Sequence, residues 1–117
     1  MVKIETHLGV IEISQEFFAN LIGWVASGCF GVSGMATSGT VDGLKQLFAT
    51  KKKFDKGVRV RAVDNKLVID LHIIVSFGVN IPAIVKSIVN KVKYTVEDAT
   101  GLEVSTINVF VDGTRAQ

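Results

Sequence analysis

Apolar and polar positions along the chain repeat with two different periods, and the changes of period mark the elements. Val2, Ile4 and Thr6, then Ile11 and Ile13, alternate around Leu8-Gly9, which predicts a short N-terminal hairpin. Ser14 is a good N-cap, and Glu16 falls in the first turn, where an acid favours the helix dipole. Phe18, Leu21, Ile22, Val25 and Cys29 then recur at helical spacing. This predicts a helix over residues 15–28 with one apolar face, and Gly28 and Gly31 offer stops. Residues 32–41 are small and glycine-rich and read as a loop or irregular strand. Residues 42–50 read as a short helix that leads into a lysine-rich loop.

The middle of the chain carries the clearest signal. Val58, Val60 and Ala62 alternate with Arg59 and Arg61. After Asp64-Asn65, Leu67, Ile69, Leu71, Ile73 and Val75 alternate with Val68, Asp70, His72, Ile74 and Ser76. Asp and Asn tolerate positive φ, so the two runs predict a hairpin with Asp64 and Asn65 as its loop. Val58 then faces Leu71, Val60 faces Ile69 and Ala62 faces Leu67, all on one side, while Arg59 faces Asp70 on the other. A slip of one residue would destroy this agreement. Asn80 caps a second long helix, and Pro82 sits in its first turn. Ile84, Val85, Ile88, Val89, Val92 and Val96 form its apolar stripe, and Gly101 is its stop. Glu97 and Asp98 at its C-terminal end oppose the macrodipole. Residues 104–111 predict a last strand with Ile107, Val109 and Val111 on one face.

The order of elements predicts an α+β fold: a two-layer sandwich whose mixed sheet has a ββαβ C-terminal half, with helices packed on it. At 117 residues the chain is too short for two cores, so one domain spanning 1–117 is expected. Hydrophobic residues make up 48%, which excludes wholesale disorder. No apolar run approaches the roughly 20 residues of a spanning helix, and the first residues lack the apolar core of a leader. The mean hydropathy of +0.40 therefore points to strands buried on both faces or to a subunit interface. Cys29 is the one cysteine, so an intrachain disulfide and a thiolate-built zinc site are excluded. It continues the stripe of the first helix and reads as a small buried hydrophobe.

Charge is distributed unevenly. Residues 45–66 hold eight basic residues against two acidic, a net +6, while the rest holds five basic and nine acidic, a net −4. Lys51, Lys52 and Lys53, with Arg59 and Arg61, are the candidate partner-binding residues for an anionic surface. A solvated loop beside a charge-defended strand edge is the simpler reading of the same residues. The face of the sheet away from the expected core would show Val63, Val68, Ile74, Val104 and Phe110 among Arg59, Arg61, Asp70, His72 and Asn108. An apolar patch with a charged border has the composition of an interface, so Val68, Ile74 and Phe110 are candidates for self-association. Alternatively, the first helix would cross to that face and cover it.

Signals of catalysis are weak. Asp70 and His72 share a strand face and could orient a general base, but Arg59 is expected opposite Asp70 and no nucleophile is placed beside them. As metal ligands they lack a third partner. Gly31-Val32-Ser33-Gly34 fits the GXXG loop that clamps a nucleic-acid backbone, yet its middle residues carry no positive charge, and a helix stop explains it more simply. No catalytic, cofactor-binding or metal site is therefore expected. A nucleic-acid-binding module using residues 45–66 is the alternative function.

Several short motifs run in a family's order: Gly9-Val10-Ile11-Glu12-Ile13-Ser14, Gly31-Val32-Ser33-Gly34-Met35, Lys56-Gly57-Val58-Arg59-Val60 and Ile69-Asp70-Leu71. Phe77-Gly78-Val79-Asn80-Ile81-Pro82, Lys91-Val92-Lys93-Tyr94, Thr100-Gly101-Leu102 and Ile107-Asn108-Val109-Phe110-Val111 continue it. In this order the chain resembles the alkaline-shock/YloU family of bacterial envelope stress response proteins, nearest its YloU branch, over nearly its whole length. Phe77 stands where the family often has tyrosine, and Trp24 interrupts a helix that is commonly alanine-rich. The resemblance implies a small cytoplasmic protein, peripheral at the inner membrane face, with no enzymatic activity and no cofactor. It implies protein partners, among them a membrane-anchoring protein or fatty-acid kinase components, and it carries no catalytic residues to transfer. A homo-oligomer fits this reading better than a nucleic-acid complex.

Overall fold

The computed structural model describes residues 1–35 and 57–115. The expected helix over 42–50 and the candidates Lys51, Lys52 and Lys53 lie outside the described residues. The elements are β1 (Val2–Thr6), β2 (Gly9–Ile13), α1 (Gln15–Ser27), β3 (Val32–Met35), β4 (Val58–Val63), β5 (Lys66–Ser76), α2 (Ile81–Thr100) and β6 (Val104–Arg115).

β5 is the spine of the larger sheet. β4 pairs antiparallel with residues 66–71 of β5 and β3 with residues 73–75, so the two follow one another along one edge. β6 runs parallel along the other edge. A parallel pair needs a long crossover, and α2 supplies it. The β4–β5 register is the expected one at all six positions, from Val58↔Leu71 to Val63↔Lys66. Asp64 and Asn65 sit at φ 53° and 60°, the left-handed pair that matches the twist of a two-residue hairpin. In the N-terminal hairpin the turn is His7-Leu8, one residue earlier than the sequence pattern placed it, because Thr6 pairs with Gly9. The Thr6 hydroxyl holds that turn, donating to the Gly9 carbonyl and accepting from the Leu8 amide.

Two side chains tie the small sheet and α1 to the large one. The Gln15 amide accepts from the Val60 N–H at 2.7 Å and donates to the Val60 carbonyl at 2.8 Å, so it occupies the outer edge of β4 as a neighbouring strand would. The Asn65 side chain makes the same reciprocal pair with the Glu5 backbone.

The core lies between the sheet and the helices. Leu67, Ile69, Leu71, Ile73 and Val75 of β5 are fully buried against Phe18, Ile22 and Ala26 of α1 and Ile84, Ile88, Val92 and Val96 of α2. Val2 and Ile4 close it at one side, and Cys29 is buried in it. Both helices therefore pack on the same face of the sheet, and α1 does not cross to the other. Ser14 caps α1 by accepting from the Phe17 N–H, Asn80 caps α2 by accepting from the Ala83 N–H, and Gly101 ends α2 in the left-handed region. Glu97, which by its position opposes the α2 dipole, has a structural use: its carboxylate accepts from the Val104 N–H at 2.9 Å and fixes the start of β6.

β6 is longer than the sequence pattern indicated and carries two bulges, at Ser105 and Asp112, which the ladder to β5 skips. The first bulge reverses the alternation, so Val104, expected on the outer face, is buried in the core. The Ser105 hydroxyl donates to the Leu67 carbonyl at this irregularity.

Candidate functional site

The face of the large sheet turned away from the helices gathers the residues singled out by the sequence. Strand alternation places Val68, Asp70, His72 and Ile74 of β5 there, half-buried between their neighbours. Arg59, Arg61 and Val63 lie beside them on β4, and Thr106, Asn108 and Phe110 on β6. Val63 and Phe110 are close to half exposed, large apolar groups among charged ones. Ile74 leans over Gly113, where a Cβ would sit 3.8 Å from its Cδ1. Val68, Ile74 and Phe110 thus share one face, as expected.

The polar groups form two separate clusters. Arg59 stands directly across from Asp70 as the register requires, but it is Arg61 that holds the carboxylate, at 3.2 Å. The diagonal neighbour lies within reach of a long side chain, and Asn108 fills the other side of Asp70 with an N–H donated at 2.9 Å. Arg59 keeps its exposure. A double-mutant cycle should therefore give a coupling of at most ~1 kcal/mol for Arg61 with Asp70 and none for Arg59, since the arginine is exposed to screening water. Equal couplings for the two arginines would contradict the arrangement.

His72 belongs to the second cluster. Its ring stacks on Phe110 with centroids 4.6 Å apart, and its Nδ1 lies 3.0 Å from an Asp112 carboxylate oxygen. Asp112 reaches it because it is the extra residue of the second β6 bulge. Asp70 and His72 are therefore each engaged elsewhere, and the dyad considered for general-base chemistry is not assembled. Asp112 went unseen as a site residue because it lies beyond Val111, where the alternation ends. Among the described residues, no three histidine, cysteine or carboxylate side chains are placed to hold a metal ion. No described helix is long and apolar enough to cross a membrane.

Two features away from this face carry no periodic signal in the sequence. Trp24 and Tyr94 flank an open groove of about 650 Å³ between α1 and α2, with Val25 and Lys91 in its walls. Phe30 and Phe77 protrude at one end of the sheet. Neither aromatic pair shares an element, so no periodicity brings its members together.

The chain is thus an α+β sandwich, a mixed sheet with two helices on one face and a half-apolar, charge-bordered surface on the other. The chain belongs to the alkaline-shock protein 23 family, described as having a cell envelope-related function, whose model matches residues 3–116. It is 38% identical over 115 residues to the uncharacterized protein YloU of Bacillus subtilis, an alignment covering 97% of this chain and 95% of that one. It is 36% identical over 110 residues to the uncharacterized protein Spy1614 of Streptococcus pyogenes, covering 94% and 91%. The uncharacterized protein YqhY of Bacillus subtilis is 33% identical over 109 residues, covering 93% and 79%. No solved structure matches. Neither the family description nor these names indicate an enzymatic activity.

Proposed function

We propose that this chain is a non-enzymatic scaffold or regulatory protein of the bacterial envelope stress response, acting from the cytoplasm at the inner membrane face through protein partners. Residues 1–117 act as one unit in this reading, without a cofactor. The observation that carries it is the outer sheet face, where Val63, Ile74 and Phe110 stand beside Arg59 and the Arg61–Asp70 pair with no described helix over them. A patch of this composition gains from association because its apolar groups leave water while its charged border selects the partner. Val68, Ile74 and Phe110 are also the residues through which two copies would meet. The family resemblance makes a membrane-anchoring protein and fatty-acid kinase components the first partners to test. Arg61 is engaged by Asp70, which reduces the free charge of segment 45–66 and weighs against the nucleic-acid alternative.

The test is affinity capture from a detergent-solubilised envelope fraction, using the unmodified chain and Phe110→Asp. A partner retained by the first and lost by the second is the expected result. Equal capture by both would overturn the assignment of this face, and loss of binding across a modest rise in salt would favour a nucleic acid instead.

A further inference from the structure

Phe30 and Phe77 are 88% and 78% exposed, although neither has a polar atom on its side chain to hold in water. The residues next to them are joined through the backbone. Val32 pairs with Val75, and the Gly31 carbonyl accepts from the Ser76 N–H at 2.8 Å. Phe30 precedes Gly31, in the turn closed by the Val32 N–H on the Cys29 carbonyl at 3.2 Å, and Phe77 follows Ser76, so the two residues flank one backbone hydrogen bond. The end of β6 joins them, since the Phe77 N–H donates to the Arg115 carbonyl at 2.9 Å. Three chain segments thus anchor the base of the tip, leaving the rings themselves outside. Gly31 lies close to Ile84 and Cys29 points into the core, so the backbone beneath Phe30 is packed while its ring is not.

The two short segments that carry the rings hold no acid. Residues 28–31 and 77–80 contain no ionisable group except the buried Cys29, and the first turn of α2, where Ile81 is also exposed, contains no acid. A protruding pair of bare rings differs from a docking groove, because it can enter a soft apolar medium but offers no cleft to receive a side chain. Its area is also small. Two phenylalanines bury roughly 150–250 Å² each, well below the roughly 800 Å² per partner of a stable protein interface. Insertion between lipid headgroups needs no matching surface and gains with every apolar group that leaves water.

We propose that this tip inserts Phe30 and Phe77 into the interfacial layer of a lipid bilayer, docking the protein directly on a membrane surface. The inference deepens the envelope reading by adding a lipid contact, and it uses a different face from the one assigned to protein partners. The two can therefore fail separately.

Flotation with vesicles of phosphatidylcholine, alone and mixed equally with phosphatidylglycerol, tests it. The unmodified chain is expected to float with both, and Phe30→Ser or Phe77→Ser to raise the lipid concentration for half-binding about ten- to a hundredfold. Phe110→Asp, on the protein-binding face, should float like the unmodified chain. A second measurement does not depend on losing anything: Phe30→Trp in a Trp24→Phe background should show a blue-shifted emission when vesicles are added. Absence of flotation, flotation unchanged by both serine variants, or an unshifted emission would overturn the proposal. So would self-association that disappears in Phe30→Ser without vesicle binding, which would make the tip a contact between copies.

Discussion

Phe18→Ala is expected to destabilise the fold by about 3–5 kcal/mol, the largest effect of any single substitution considered. The ring, carried by α1, is fully buried in the core it shares with β5 and α2, and it meets Phe17 edge to face with centroids 5.8 Å apart. Truncation removes the transfer energy and leaves a cavity that the flanking β-branched side chains of β5 and α2 have little freedom to fill. Small domains are stable by about 5–15 kcal/mol, so the loss is a large share of the whole. Urea denaturation should show a strongly lowered midpoint. Phe17→Ala, at a ring 46% exposed, should cost far less. Similar midpoints for the two variants would contradict the placement of α1.

Gly31→Ala is expected to cost about 2–5 kcal/mol, from two sources that a second glycine separates. Gly31 sits at φ +90°, and a Cβ there would overlap Cδ1 of Ile84 and stand 3.0 Å from its Cγ1. Ile84 is itself buried in the core, so it yields only by disturbing its neighbours. Gly78 has nearly the same φ, +87°, with nothing within 4 Å of a Cβ placed there. Gly78→Ala should therefore show the backbone strain alone, about 1–2 kcal/mol. Thermal melting of the pair isolates the packing contribution. Equal drops would mean that the close approach of Gly31 to α2 constrains nothing.

The sequence was most readable where a single local rule governs. Residues 58–76 disclosed their register because strict alternation and an Asp-Asn turn agree, and no tertiary contact overrides either. The caps Ser14, Asn80 and Gly101 were readable for the same reason. Features that depend on distant partners were not. Gln15 closing the edge of β4 is a contact across 45 residues, and Asn65 holding Glu5 spans 60. The bulges at Ser105 and Asp112 leave no trace in an alternating pattern, yet they decide that Val104 is in the core and that His72 meets Asp112. The apolar members of the candidate face were legible by parity along β5. Its polar wiring was not, since a diagonal partner displaced the one directly opposite.

The proposed meeting place of this protein with other proteins, including a second copy of itself, is the outer sheet face. Sedimentation velocity across a concentration series, with light scattering as a check of mass, addresses it. The unmodified chain should associate by the high micromolar range. In a two-fold contact Phe110 is buried twice, so Phe110→Asp should weaken that association by roughly a hundredfold or more while the circular dichroism spectrum stays unchanged. An unmodified chain that remains monomeric throughout, or a Phe110→Asp variant that associates as strongly as the parent, would contradict it.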